Sequence, residues 1–220
     1  DLVSFIDEHR PPAEAAPLYT ALRARLLLSD ASRRSELRAQ LLDAAQRADD
    51  NLAVVEIQRT LGMINYLQGD YAAAAEAFAK GIAAGAQDDF ELNNNLAYIR
   101  ANHLDDAAGA LAPAEKAVEL APTNAEVLDT LGVVYHRLGR SQQAKVVLRQ
   151  ALRHATSDAQ LVPPTLHLAR ILLDEGDRAA ARQRLQEAQA ALDRTPALKE
   201  EHEKDLLELM HQLDQAERTN

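Results

Sequence analysis

The chain has 220 residues, enough to bury a sizeable core as one domain or as an array. Hydrophobic residues make up 47% but aromatics only 4%, so alanine and leucine, both good helix formers, carry the apolar content. A formal charge of −10 argues against a general nucleic-acid binder, and the lack of cysteine rules out disulfides and cysteine-based metal sites.

No apolar run reaches the roughly 18 residues that a membrane span needs, so direct membrane insertion is not expected. No signal peptide is visible. Starting at Asp1 without an initiator Met, the sequence reads as a piece of a longer protein, and being cysteine-free it suits cytoplasm or periplasm alike.

Residues 1–16 open with Leu2, Val3, Phe5 and Ile6 and break at Arg10-Pro11-Pro12, the pattern of a lead-in and linker. Residues 17–54 form a first helical pair. Pro17 suits a first helical turn, Ser29-Asp30 offers a break and a cap, and Leu37, Leu41 and Ala44 line the second helix. Residues 55–89 are a clearer pair. Leu61-Gly62 lies on its first helix, Gly69-Asp70-Tyr71 makes the turn, and Ala74, Phe78 and Gly81 face inward on the second. Asp70 can accept a backbone N–H at the new helix start, worth about 1 kcal/mol. Residues 90–124 are irregular: the turn Asn102-His103-Leu104-Asp105 has no glycine, Pro113 interrupts the expected second helix, and Pro122 ends it.

Residues 125–161 carry the most regular pattern. Val127, Leu131, Val134 and Leu138 recur at helical spacing, Gly139 stops the helix, and Ala144, Leu148, Ala151 and Ala155 form a second stripe. After a longer linker containing Pro163-Pro164, residues 162–194 restore it with Leu168-Ala169, Leu172, Gly176-Asp177, Ala181, Leu185 and Ala188. Residues 195–220 open on Thr195-Pro196 and set Leu206, Leu209, Met210 and Leu213 opposite Lys199, Glu200, Glu203, Lys204 and Glu208. Terminal repeats need a polar outer face, so this segment reads as a capping helix and tail.

Leu131-Gly132, Tyr135, Ala144, Leu148 and Ala151 stand at the spacings of a tetratricopeptide repeat of about 34 residues, and the chain resembles that family. Starts at Val55, Phe90, Ala125 and Val162 lie 35, 35 and 37 residues apart, holding the phase through four copies. Leu128 replaces the motif's tryptophan, Thr156 its closing proline, and Arg25 stands where the family wants a small residue. Gly132 needs no family to explain it: two helices cross there and a larger side chain would separate them. The resemblance implies an all-α, right-handed α-solenoid of about five hairpins plus a C-terminal cap, short of a complete superhelical turn. The run from Leu92 to Tyr98 also resembles repeats of bacterial envelope and exopolysaccharide-secretion proteins.

No phosphate loop, nucleophile elbow or H-E-x-x-H helix occurs, so neither an enzyme nor a cofactor is expected. His9, His103, His154, His202 and His211 read as solvated surface rather than metal ligands. In Asn93-Asn94-Asn95, one amide is expected to bond the backbone while the others face water.

What the resemblance implies for function is a concave wall built by the first helix of each pair. Its residues would be Glu56, Arg59, Met63 and Tyr66, then Glu91, Asn94, Tyr98 and Asn102. Further along come Glu126, Asp129, Val133, His136 and Arg137, then Leu166, Arg170 and Asp174. Tyr and Arg are common binding anchors, though Tyr66 and Tyr98 could equally pack between repeats. The expected partner is a protein, held as an extended peptide or a helix. Self-assembly, or docking within a larger bacterial envelope or exopolysaccharide-related protein, is the alternative. Family members that clamp a carboxylate tail use Lys, Arg and Asn. The matching positions here are Arg59, Met63, Asn95, Glu126 and Thr130, so tight binding of acidic tails is not expected.

Overall fold

The computed structural model describes residues 16–218, and the lead-in with Arg10-Pro11-Pro12 and His9 lies outside them. The described residues form eleven α-helices and two short 3-10 turns, with no strand among them. By chain contacts they divide into two compact units, one ending at Asp105 and the other beginning at Asp106.

The first unit holds α1 (Ala16–Leu26), α2 (Arg34–Arg47), α3 (Asn51–Leu67), α4 (Tyr71–Ala83) and α5 (Phe90–His103). Here α1 pairs with α2 and α3 with α4, α1 also packs on α3, and α5 packs on α4. The second unit holds α6 (Ala107–Leu120), α7 (Ala125–Arg137), α8 (Ser141–His154), α9 (Asp158–Asp174), α10 (Arg178–Arg194) and α11 (Lys199–Arg218). Its hairpins are α7/α8 and α9/α10; α6 packs on α7, α9 on both α7 and α8, and α11 on α9 and α10. This is the all-α, hairpin-built fold that the periodicity implies.

The turns show why these helices stop and restart where they do. Gly69, Gly139 and Gly176 have φ of 79°, 72° and 80°, a conformation that costs glycine nothing. The next residue's N–H then reaches back to a carbonyl five residues earlier, as in Arg140 N to Tyr135 O at 2.8 Å. Asp105 takes the same left-handed conformation (φ 51°) in the turn without glycine. Asp50, Asp70, Asp89, Asp106 and Asp177 each accept an N–H from the first turn of the following helix. Part of the chain's acidity is therefore structural, since negative charge is favoured at helix N-termini.

Hairpins close because small residues let helices approach. A Cβ built on Gly62 would lie 2.5 Å from the Phe78 ring, and one on Gly132 would lie 2.6 Å from Leu148. Phe78 and Leu148 are themselves buried, at 1% and 0% exposure.

Four local expectations need correction. Pro113 lies inside α6, which runs unbroken, and Pro163-Pro164 lie inside α9 rather than in a linker. An interior proline costs a helix about 3 kcal/mol. Burial of Ala110, Ala114 and Ala117 on α6, and of Val162, Thr165 and Leu166 on α9, offsets it. Arg25 does not occupy a close-approach position either. It points outward to Glu56 at 3.3 Å, and the small residues packed in the core are its neighbours Ala21 and Ala24. Helices α3 and α9 also begin at Asn51 and Asp158, a turn ahead of Val55 and Val162, because Asp50 and Ser157 cap them there.

Candidate functional site

In the first unit the expected wall residues lie on α3 and α5. Arg59 of α3, 14% exposed, is shared among three carboxylates: Glu56 at 3.3 Å, Glu91 at 3.4 Å, and Asp89. Burial pulls the Arg59 pKa down, but hydrogen bonding and charge from Asp89 and charge from Glu56 outweigh it, so the net shift is upward. Burial likewise opposes ionisation of Asp89, yet the Arg59 guanidinium and the Leu92 N–H leave its carboxyl below the usual range.

Because α5 packs on α4, the N-terminal ends of α3 and α5 flank a cleft of about 680 Å³. Glu56, Arg59, Asp89 and Glu91 line it together with Leu52, Val55 and Phe90. Sequence reasoning missed Asp89, whose signal is its place as the cap of α5.

At the other end of these helices stands an aromatic cluster. The Tyr66 ring lies 5.8 Å from Tyr71 and 6.2 Å from Tyr98, centroid to centroid. His103, expected at the surface, stacks on Tyr71 at 3.7 Å and meets both other rings edge-on. The end of α5 carries the imidazole against the start of α4, which no periodicity in the sequence signals. Tyr66 belongs to the core cluster around Phe78, whereas Tyr98 keeps 37% exposure. Met63 also packs against that cluster. Asn93 is buried and donates to the carbonyls of Gln87 and Asp89, while Asn94 and Asn102 are half-buried.

In the second unit the expected wall residues lie on α7 and α9. Val133 and Leu166 are core, at 6% and 4% exposure, so they cannot offer side chains to a ligand. Leu166 packs with Val162 and Ala169, a turn to either side of it, which a groove assignment by spacing overlooks. Glu126, Arg137 and Asp174 are exposed. Asp129 is half-buried and bonded by His167 Nδ1 at 2.7 Å, joining α9 to α7. His136 Nε2 approaches Asp174 at 3.3 Å, a second link between the same helices, and Arg170 lies 4.0 Å from Glu208 of α11. His167 was not foreseen as a wall residue; its signal is that Asp129 and His167 stand about one repeat apart.

The two histidines respond to pH with opposite sign. Burial lowers the His167 pKa, but the Asp129 carboxylate more than reverses it, for a net rise. Burial lowers His136, and Asp174 does not make up the loss. The His167 contribution to stability is full below about pH 6.5, the unfolded value, and is lost as pH rises through the folded pKa. The His136 contribution runs the other way: it is present above the unfolded value and is lost as pH falls. The Tm difference between wild type and Asp129→Asn is therefore larger near pH 5 than near pH 8. Histidine NMR titration checks this directly. A His167 titrating below free histidine overturns it.

Residues 114–146 match the family model for the tetratricopeptide repeat. No curated protein sequence matches the chain. Among solved structures it is similar to BtubC from P. vanneervenii, with TM-score 0.70 and 20% identity over 89% of this chain and 90% of that one. It is also similar to YrrB, described as a tetratricopeptide-repeat protein with an unusual peptide-binding site, with TM-score 0.67 and 18% identity over 94% and 96%. A third similar structure is MamA from Desulfovibrio magneticus RS-1, with TM-score 0.65 and 17% identity over 80% and 97%.

Proposed function

We propose, on the premise that this chain is built of tetratricopeptide repeats, that it is a non-enzymatic module binding another protein along its first-helix faces. The partner segment is an extended peptide or a helix. The observation that carries this reading is the cleft between α3 and α5, which sets exposed apolar surface beside charge on the wall assigned to ligand. Glu56, Arg59, Glu91 and Tyr98 belong to that wall in the first unit, and Glu126, His136, Arg137, Arg170 and Asp174 in the second. Tyr98 and Arg137, both exposed, are residue types that dominate binding energies.

Selection from a random peptide display library tests this. We expect enriched peptides whose affinity falls about tenfold or more in Tyr98→Ala/Arg137→Ala. Failure to enrich any peptide, or equal affinity for the variant, overturns it. Self-assembly is the second reading, favoured by Leu207 and Met210, which stay 57% and 40% exposed on α11. A mass by light scattering that grows with concentration would favour it.

A further inference from the structure

We infer that the α3/α5 cleft receives a lysine or arginine side chain of the partner, flanked by an apolar residue, and that Arg59 occupies this position in the unbound protein. The inference deepens the proposed binding role and rests on it.

The argument begins with charge. Glu56, Asp88, Asp89 and Glu91 line the cleft, and among the described residues Arg59 is the one cation that lines it. Arg25 reaches Glu56 from α1, but it is 53% exposed and stands at the periphery. One guanidinium shared by three carboxylates leaves each only partly compensated. A hydrogen bond from a cation to a carboxylate is about twice as strong as a neutral one, so a second cation adds strong bonds here. Asp89 is also committed to capping α5, so the N-terminal charge of that helix is already answered. Glu91, 59% exposed and 3.4 Å from Arg59, has the most to gain from a second cation.

Shape and polarity agree with this. Leu52, 57% exposed, and the half-buried Phe90 line the same cleft, over the core residues Val55 and Ala86. Lysine and arginine lay their methylene stems along such surface while the head group meets carboxylates. An anionic ligand fits poorly, because it gains a partner only if Arg59 abandons three. The chain's net charge of −10 adds a field that attracts cationic segments.

Fluorescence anisotropy with a short labelled peptide of alternating arginine and leucine tests the inference, with a twin carrying glutamate for arginine. The arginine peptide is expected to bind the whole chain and the glutamate twin not to. Asp88→Asn/Glu91→Gln is expected to weaken binding about tenfold. Glu200→Gln/Glu203→Gln, which removes equal charge from exposed positions on α11, should change it less than about twofold. Arg59→Gln frees the carboxylates and should tighten the arginine peptide. If that variant does not fold by circular dichroism, the Asp88/Glu91 pair decides alone. Preference for the glutamate twin, equal losses from the two charge pairs, or weaker binding by folded Arg59→Gln each overturns the inference. Library-selected peptides that respond to Tyr98→Ala/Arg137→Ala but not to the Asp88/Glu91 pair overturn it while leaving the binding module intact.

Discussion

Phe78→Ala lowers the unfolding free energy by about 3–5 kcal/mol, measured by urea denaturation. The ring is 1% exposed and lies over Gly62, where a Cβ would be 2.5 Å from Cε1 and 2.7 Å from Cδ1 and Cζ. Because Gly62 has no side chain, nothing on that part of α3 can swing into the space the ring leaves. The void is bounded by backbone on one side and by the cluster of Val55, Leu92 and Leu96 on the other. Such a site collapses poorly, which puts the cost toward the upper part of the range. Hydrogen exchange adds a second readout. In repeat proteins the loss falls on neighbouring elements first, so amides of α3, α4 and α5 should lose protection before those of α8 to α11. A stability change under about 1 kcal/mol would mean the ring is not the filler of this crossing.

The contrast between these glycines and the prolines marks what a sequence can disclose. Gly132, Gly139 and Leu148 were legible because each obeys a local rule: a close approach, a left-handed turn, an apolar position at helical spacing. Asp70 was legible for the same reason, and it caps α4 as its place before Tyr71 suggests, accepting from Ala73 at 3.2 Å. Pro113 and Pro163-Pro164 misled because their local penalty is outweighed by the burial of flanking residues, and burial is a property of the assembled stack. The same limit applies to the candidate site. Arg59 was placed on the wall by spacing, but its three carboxylate partners come from two helices and a cap, and only Glu56 is a near neighbour in sequence. His103 was read as solvated surface, but the ring it stacks on, Tyr71, lies on the preceding helix, beyond the reach of any pattern local to α5. Asp129 and His167 could have been paired by laying one repeat over the next, the one long-range ruler that periodicity supplies.

Leu148→Ala is expected to cost about 2–5 kcal/mol, and its coupling to Gly132 shows why. Leu148 is fully buried on α8, and a Cβ on Gly132 of α7 would meet its Cγ and Cδ2 at 2.6 Å. In the wild-type background Gly132→Ala therefore overpacks the crossing, at about 1–3 kcal/mol. In the Leu148→Ala background the same methyl enters the vacated space, where it restores contacts instead of removing them. The double variant should thus be more stable than the sum of the single effects predicts, with a coupling of about 1–3 kcal/mol. Ala144 and Ala151, both at 0% exposure on the same stripe of α8, keep the helices at this spacing. They leave α8 little freedom to relieve the clash by moving away. Denaturant melts of the four proteins in the cycle measure the coupling. Additive effects would show that α7 and α8 can separate without cost, and that the glycine is not what sets their distance.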